Sequence, residues 1–309
     1  MKKQDKIKVI AIAMILTLGI SSAPVTASAR VSEAEGEGTG YSANFHNTYE
    51  KGLSYVSSKN LSNYSRFTLK INGKSVSVSG MYLNGVAYIP FRASANALGM
   101  SYKYDSSSRT AIMQGSGLAL SATDGCFAVY ANDRPLFAIS PVVVMNDGRL
   151  YIPAENFAKA TGLKLSLAGS SVSLSGSFLP LASASKFYRE DEVLWLARII
   201  HAESSGEPLL GKIAVGNVVL NRVKSPSYPN TIYGVIFDRK YGVQFSPIIY
   251  GTIYNTPNYQ SVLAAKICLE GFDISEGALF FLHPEISTSS WIPSSRPYLF
   301  SVGRHDFYG

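Results

Sequence analysis

The pattern of apolar and polar positions divides the chain into a strand-rich part and a helix-rich part. Between residues 67 and 176, short apolar runs alternate with polar positions, as Val76 and Val78 do between serines, which is typical of half-buried strands. From Glu190 onward, apolar residues recur every three or four positions, which predicts helices. We therefore expect an α+β protein: a duplicated, strand-rich α+β module followed by a mainly helical domain with a few strands.

The strand-rich part contains a diverged repeat. Tyr88-Ile89-Pro90 recurs 63 positions later as Tyr151-Ile152-Pro153, and Ala97-Leu98-Gly99-Met100 recurs in register as Ala160-Thr161-Gly162-Leu163. Each unit is predicted to run strand, turn, strand, short helix, strand, with proline at the helix start and glycine at its end. The repeat gives a domain at residues 67–176.

The first helix predicted after the repeat ends in a carboxylate. At helical spacing, Leu196, Ile199, Ile200 and Glu203 share one face, and Gly206 then breaks the helix. An unpaired charge is costly to bury, so a carboxyl in such a place either finds donors or keeps its proton. Local rules tend to be broken at functional sites, and Glu203 is therefore our candidate general acid.

The remaining elements of the helical part follow from proline, glycine and apolar spacing. Pro208 predicts the start of a second helix, residues 256–271 a third, and residues 278–282 a strand. Asn217 and Asn221 lie four apart on the second helix. We expect them to be buried amides that hold loops rather than catalytic groups.

The N-terminus has the pattern of a secretory signal. Four lysines precede an apolar run from Val9 to Ile20, and small residues end in an A-x-A site at Ala29. The alternative is a membrane anchor, but the run is shorter than the roughly 20 residues that a span needs. We expect cleavage after residue 29 and a secreted or wall-associated protein without stable membrane insertion. Residues 30–66 and 177–188 are expected to be linkers.

Amino-acid composition and net charge limit the kinds of function that the chain can have. Hydrophobic residues make up 46% of the 309 residues and charged ones 16%, so the chain can bury cores. The net charge is +7, and removing residues 1–29 takes away four Lys and one Asp and leaves +4. This residual charge fits an anionic wall polymer better than nucleic acid. Cys126 and Cys268 are too few for a disulfide framework or a cysteine-ligated metal, and we expect no cofactor.

Residues 67–176 resemble the copper amine oxidase N-terminal-like domain, on the tandem Tyr-Ile-Pro and Leu-Gly pattern. The resemblance implies a spacer or wall-attachment module of secreted proteins. No residue of the repeat has the spacing of copper ligands. A purely structural α+β domain that binds nothing remains the alternative.

Residues 189–309 resemble the SleB-type cell wall hydrolase family, which includes spore cortex-lytic enzymes. The matching segments follow the family's order and include Leu196-Ala197-Arg198, Ala202-Glu203, Gly206-Glu207-Pro208, Val219-Leu220-Asn221-Arg222-Val223, Pro229-Asn230-Thr231-Ile232, Gln244-Phe245-Ser246-Pro247, Trp291, Arg296-Pro297 and His305. The resemblance implies a helical domain like those of lysozyme and lytic transglycosylases, with the catalytic glutamate at Glu203. Ser204-Ser205 and Arg304 depart from the family's usual residues.

The expected chemistry is cleavage of the glycan strand between N-acetylmuramic acid and N-acetylglucosamine. Hydrolysis of the usual type needs a second carboxylate about 5–10 Å away. Glu207 is the nearest in sequence, but we expect it to serve the dipole of the second helix. Asp238, Asp273 and Asp306 are expected in loops. A single acid/base glutamate suits lytic transglycosylation, as the resemblance implies.

Further residues are expected to bind the peptidoglycan. Gln244 and Ser246 would hydrogen-bond the sugars, and Arg296 would hold a loop or meet an acidic peptide stem. His305 would lie near the catalytic glutamate or serve a structural role. The residues expected to stack on sugar faces are Phe245, Tyr250 and Trp291.

Two other functions remain open at this point. A zinc amidase that cuts the muramoyl–peptide bond would need about three His or acidic ligands. His201 and Glu203 point to different helix faces, and His283 and His305 lack a ligand spacing. A non-catalytic wall-binding protein would use the repeat instead. The sequence does not distinguish spore cortex from vegetative wall as the substrate.

Overall fold

The computed structural model describes residues 64–138, 140–240, 242–287 and 290–309. The expected signal segment and nearly all of the linker at 30–66 lie outside these ranges. The described chain is α+β: a strand-rich module precedes a mainly helical domain. None of the helices in the described ranges is long and apolar enough to cross a membrane.

The strand-rich module consists of thirteen strands and two short helices among the described residues. The helices are α1 (Phe91–Ala97) and α2 (Ala154–Thr161). The strands are β1 (Tyr64–Ile71), β2 (Lys74–Ser75), β3 (Gly80–Leu83), β4 (Val86–Pro90), β5 (Ser101–Asp105), β6 (Thr110–Gly115), β7 (Leu118–Thr123), β8 (Ala128–Ala131), β9 (Arg134–Phe137), β10 (Val143–Val144), β11 (Leu150–Pro153), β12 (Lys164–Ala168) and β13 (Ser171–Ser175).

Two sheets build this module. One has the order β10-β11-β4-β3-β1-β13-β12, with β2 on β1, and the other runs β5-β6-β7-β8-β9. Both helices follow the repeated tripeptide, as predicted, and both end in a left-handed glycine (φ 68° at Gly99 and 72° at Gly162). Phe91 and Phe157, each fully buried, place the two helices on a shared core.

The repeated tripeptides pair with each other. In the antiparallel β4–β11 ladder, Ile89 faces Ile152, Tyr88 faces Pro153, and Pro90 faces Tyr151. The register is symmetric about the two isoleucines, so the two units are related by an approximate twofold axis through this pair. Tyr88 and Tyr151 are both completely buried and form a smaller core with Met81.

One strand prediction in the first unit is wrong. The Ser–Val alternation predicts a strand through Val76 and Val78, but β2 ends at Ser75 and bends follow until Gly80. Alternation alone does not provide a partner strand: β1 already pairs with β13 and β3, so β2 is limited to Lys74 and Ser75, and the Val76 N–H makes one further bond, to the Leu69 carbonyl. The hairpin turn at Asn72-Gly73, with φ 47° and 78°, is as predicted.

The helical domain begins after a short helix, α3 (Ala184–Phe187). Its helices are α4 (Glu190–Ser204), α5 (Leu209–Lys224), α6 (Ile232–Ile236), α7 (Pro247–Tyr250), α8 (Tyr259–Leu269) and α9 (Trp291–Ser295), with a 3₁₀ turn at Thr252–Tyr254. A three-stranded antiparallel sheet has the order β14 (Phe280–Leu282), β16 (His305–Tyr308), β15 (Tyr298–Val302). Helices α4, α5 and α8 pack on one another around a core that includes Ile199, Ile200, Ile213, Val218 and Ala264.

The module and the helical domain meet at a buried ion pair. Arg134 of β9 donates to both carboxylate oxygens of Glu270 (2.8 and 2.9 Å), and both side chains are at most 5% exposed. Tyr188 donates to the same carboxylate at 2.6 Å, and Lys159 bonds the Glu270 carbonyl oxygen at 2.5 Å. Burial would raise the pKa of Glu270, but these donors and charges outweigh it and hold the pKa below its usual value.

The segment 177–188, expected to be a plain linker, packs against the module. Leu179 and Leu181 donate backbone hydrogen bonds to the carbonyls of Thr161 and Ala160, and Asn132 bonds the Leu181 carbonyl. Cys126 and Cys268 are both buried and form no disulfide, one in each part of the chain.

Candidate active site

Glu203 occupies the last turn of α4, as predicted. Its neighbours Ile199, Ile200 and Ser204 are buried, and Glu203 itself is partly exposed at the edge of that face. No hydrogen bond from any described residue reaches its carboxylate. Burial raises the pKa of Glu203 to about 7, and the charge of Arg222 acts in the opposite direction. A carboxyl with this pKa can hold its proton near neutral pH and also release it, as a general acid must.

Arg222 lies close enough to Glu203 for its charge to lower the pKa of that carboxyl, and nothing in the sequence pattern predicts this role. It is 5% exposed in α5, and its Nε donates to the Leu279 carbonyl at 2.8 Å. Aromatic rings surround the guanidinium: Tyr228 at 5.2 Å, Phe245 at 5.0 Å and Phe280 at 5.6 Å from their centroids. Nη1 is buried and has no hydrogen-bond partner among the described residues. Arg222 thus supplies a fixed positive charge and one unused donor beside the candidate acid.

Trp291 and Arg296 join this cluster through Phe280. The Arg296 guanidinium lies 4.6 Å from the Phe280 centroid, on a ring that Arg222 also approaches, and Trp291 meets Phe280 edge-on at 5.7 Å. Trp291 is 53% exposed, so its ring is open to a ligand. The structure therefore brings two of the expected binding residues into one chain of contacts with Arg222, although they lie about 70 residues away in sequence.

Phe245 requires a correction. It was expected to stack on a sugar face, but it is 3% exposed and belongs to the core beneath Arg222. A buried ring has no free face for a sugar, so Phe245 supports the arginine instead. The nearby binding candidates are more exposed than Phe245. Ser246 and Tyr250 are exposed, Tyr250 by 77%. Gln244 is half-buried and donates a hydrogen bond to the Gly242 carbonyl at 3.2 Å.

Glu207 also differs from the expectation. Helix α5 begins at Leu209, so Glu207 precedes its first turn, and the Glu207 carboxylate reaches the β15–β16 turn. It accepts the backbone N–H of Arg304 at 2.9 Å and pairs with the Arg304 side chain at 3.3 Å. A side chain on Gly303 would collide with this carboxylate. Glu207, 8% exposed, therefore clamps the turn and is committed to protein partners.

His305 lies close enough to Glu207 for the charge of that carboxylate to act on its ring. It is 7% exposed in β16, with Phe281 edge-on at 5.4 Å and His283 at 5.9 Å. Burial lowers the pKa of His305, and the charges that modify it are those of Glu207, His283, Arg304 and Asp306. The expectation that His305 lies near Glu203 stays a prediction. A structural role matches its burial.

The two asparagines hold loops, as predicted. Asn217 donates to the Phe272 carbonyl at 2.9 Å and accepts from the Ile274 N–H at 3.1 Å. Asn221 donates to Ser275 Oγ at 2.7 Å and to the Ala278 carbonyl at 3.1 Å. These bonds fix the segment between α8 and β14, whose Leu279 carbonyl in turn accepts from Arg222.

Three further acids in the described part of this domain have polar partners of their own, and the charge of one of them, Asp238, acts on Arg222 as that of Glu203 does. Asp238 and Asp273 lie in loops, where each accepts a local backbone N–H, from Lys240 and Ser275. Asp306 lies in β16, not in a loop, and accepts from Ser301. Within the described ranges, no group of three or more His, Cys, Asp or Glu side chains is arranged to hold a metal ion.

Comparison with known families assigns both parts of the chain. Residues 206–308 match a family model described as cell wall hydrolase, and residues 70–175 match the copper amine oxidase N-terminal domain. The first match begins three positions after Glu203, so the assignment of Glu203 depends on its geometry.

The curated relatives that this chain resembles are named as spore cortex-lytic enzymes. A spore cortex-lytic enzyme of Bacillus cereus is 39% identical over 120 residues, which are 39% of this chain and 45% of that protein. The spore cortex-lytic enzyme of Bacillus subtilis is 36% identical over 120 residues, 39% of this chain and 38% of that protein. The chain therefore spans less than half the length of these relatives.

Among solved structures, the catalytic domain of the germination-specific lytic transglycosylase SleB from Bacillus anthracis is 38% identical. The match covers 40% of this chain and 97% of that one, with a TM-score of 0.37. The catalytic domain of the Bacillus cereus SleB protein gives 38% identity, 40% and 92% coverage, and a TM-score of 0.36. The sequence matches are thus to the cell wall hydrolase family over residues 206–308 and to the copper amine oxidase N-terminal domain over residues 70–175.

Proposed function

We propose that this protein is an exported peptidoglycan lytic transglycosylase with Glu203 as its single acid/base. The observation that carries the proposal is one carboxyl at a helix end, partly buried, free of hydrogen bonds from the described residues and beside a buried arginine. The relatives named as cortex-lytic enzymes support this substrate class.

In the proposed reaction, protonated Glu203 gives its proton to the oxygen that bridges the muramic acid and glucosamine rings. The bond between that oxygen and the muramic acid anomeric carbon breaks, and glucosamine leaves with a new hydroxyl. The Glu203 carboxylate then takes the proton from the 6-hydroxyl of the muramic acid, whose oxygen bonds to the anomeric carbon. The product is a 1,6-anhydro ring, no water is consumed, and Glu203 is protonated again.

Arg222 has a defined part in this cycle. It stabilises the Glu203 carboxylate that exists between the two proton transfers, because its charge lies close by in a setting of low dielectric. The half-buried position of Glu203 favours the protonated state at the start. Trp291, Arg296, Gln244, Ser246 and Tyr250 are the proposed substrate contacts.

Mass spectrometry of digested peptidoglycan tests the proposal. The full chain, Glu203→Gln and Glu207→Gln are each incubated with purified spore cortex and vegetative sacculi. We expect 1,6-anhydro-muramic ends from the parent and Glu207→Gln, and none from Glu203→Gln.

Any other product of the digestion would indicate a different function. Reducing muramic acid ends would mean hydrolysis, and freed stem peptides would mean an amidase. Binding to sacculi without any released fragment would mean a wall-binding protein. The relative rates on cortex and vegetative sacculi show which wall is the substrate.

A further inference from the structure

A cluster of aromatic rings lies along α4, about two helical turns before Glu203. Trp195 meets three rings edge-on: Tyr233 at 5.2 Å, Phe237 at 5.2 Å and Tyr254 at 6.3 Å. Arg198 lies 4.9 Å from the Trp195 centroid and covers part of its ring. Tyr233 and Tyr254 are 53% and 59% exposed. Trp195 therefore packs against Tyr233 and Tyr254 and holds both rings at the surface.

These exposed rings have no role in the cycle proposed for Glu203. Trp195 and Glu203 are eight residues apart on α4, which is about 12 Å along the helix axis. That distance is too long for one sugar ring to contact both. The core of the domain does not account for the tyrosines either, because more than half of each side chain is exposed to solvent.

Two segments connect the aromatic cluster to the candidate active site. One runs from Tyr228, which contacts Arg222, to Tyr233 in α6. The other runs from Phe245, which also contacts Arg222, through α7 to Tyr254. Both segments pack along α4. Each segment therefore has one aromatic ring in contact with Arg222 and another in contact with Trp195. The exposed residues Ile249 and Tyr250 lie between these ends on the second segment.

We propose that Tyr233 and Tyr254, held by Trp195, form a remote subsite that binds sugar rings of the same glycan strand whose bond Glu203 cleaves. This inference rests on the proposed function and adds a substrate-length requirement to it. Tyrosine combines a flat apolar face with a polar hydroxyl, which matches the apolar C–H face and hydroxyl rim of a sugar. The remote contacts would hold a long strand in register at Glu203.

The test compares long and short substrates. We expect Tyr233→Ala/Tyr254→Ala to lower kcat/KM on long glycan strands by roughly tenfold, the loss of two stacking contacts. The same double variant should cleave the shortest fragment that the parent enzyme accepts at the parent rate, because that fragment does not reach the subsite. Tyr233→Phe/Tyr254→Phe keeps both rings and should retain most of the preference for long strands.

Tyr259→Ala is the matched control: Tyr259 is 50% exposed in the same domain, but it faces the strand-rich module through Tyr130. Circular dichroism and thermal unfolding check that the variants fold. An equal loss on long and short substrates, or no loss on either, would overturn the subsite. If the parent enzyme cleaves neither substrate, the proposed function fails instead. Titration of the Glu203→Gln variant with long strands, with and without the tyrosine substitutions, then shows whether the rings bind glycan.

Discussion

At the scale of single residues, the proposed chemistry depends on how burial and charge act on the Glu203 carboxyl. Glu203 sits where desolvation favours its protonated form, and Arg222 limits that effect. The aromatic rings around Arg222 in turn keep water from its guanidinium. In the proposed cycle, the balance of these two groups lets one glutamate act as both acid and base.

The pH dependence of activity follows from this balance. The active starting form has a protonated Glu203, whose pKa is raised to about 7. We expect kcat/KM to fall as the pH rises through about 7, and Glu203→Gln to lose at least about 100-fold in kcat. A pH–rate profile on soluble peptidoglycan fragments measures both. Activity that persists undiminished to pH 9 would contradict the assignment.

The same shift predicts a change in stability. Below pH 4.5, Glu203 is protonated in the folded and unfolded states, so Glu203→Gln should change the free energy of unfolding little. Above pH 7, the folded parent must hold a partly buried charge, so the glutamine variant should be more stable than the parent by up to about 3 kcal/mol. Urea unfolding at pH 4 and pH 8 measures the difference.

Arg222 can be tested by separating its charge from its packing. Arg222→Met removes the charge that lowers the pKa of Glu203, so the alkaline limb of the pH profile should move to higher pH. Arg222→Lys keeps a positive charge and should shift the limb less. Both variants lose the bond to Leu279 and should be less stable. Equal profiles in the two variants would show that the charge of Arg222 does not reach Glu203.

At the scale of elements, the site is built where α4 and α5 meet the C-terminal hairpin. Glu207, in the loop between the two helices, fixes the β15–β16 turn by bonding Arg304. Lys212, 1% exposed, bonds the Glu207 carbonyl from the first turns of α5. Asn217 and Asn221 attach the same helix to the loop before β14. Helix α5 therefore organises the site, although it contributes no candidate acid.

Glu207→Gln tests this structural role against a catalytic one. The variant keeps an acceptor for the Arg304 N–H but loses the ion pair and the charge near buried Lys212 and His305. We expect a loss of about 1–3 kcal/mol in the free energy of unfolding, with kcat of the folded enzyme unchanged. Glu285→Gln, at an exposed position, is the control. A large loss of kcat without a loss of stability would make Glu207 the second catalytic carboxylate.

At the scale of the whole molecule, the two domains share a polar interface. The Arg134–Glu270 pair is bidentate and buried, with Tyr188 and Lys159 completing the partners of Glu270. The aromatic contact of Phe137 with Phe272, 4.6 Å between centroids, lies beside it. A cavity of about 390 Å³ borders this interface. These contacts hold the strand-rich module against the helical domain.

Glu270→Gln should weaken this attachment. It leaves Arg134 buried without its charge partner, so we expect the chain to lose about 3–5 kcal/mol and to unfold in two separate transitions by calorimetry. Because the folded-state pKa of Glu270 is lowered, its contribution should also be lost as the pH falls below 4.5. Asp147→Asn, which breaks the exposed pair with Arg149, is the control and should change little.

The sequence by itself determined the periodic and local features. Helical spacing located α4 with its terminal glutamate, the repeated tripeptides located the duplicated units, and glycines and prolines marked the helix ends. These signals depend only on residues a few positions apart. The prediction of a strand through Val76 and Val78 was wrong because a strand needs a partner strand. Alternation along the chain does not supply one.

Only the tertiary structure decided which distant residues meet. The symmetric pairing of Ile89 with Ile152, the place of Arg222 beside Glu203, the burial of Phe245 and the Glu207–Arg304 clamp all join segments that sequence spacing does not relate. The pKa of Glu203 belongs to the same class, because desolvation and charge depend on what surrounds a carboxyl in space rather than along the chain.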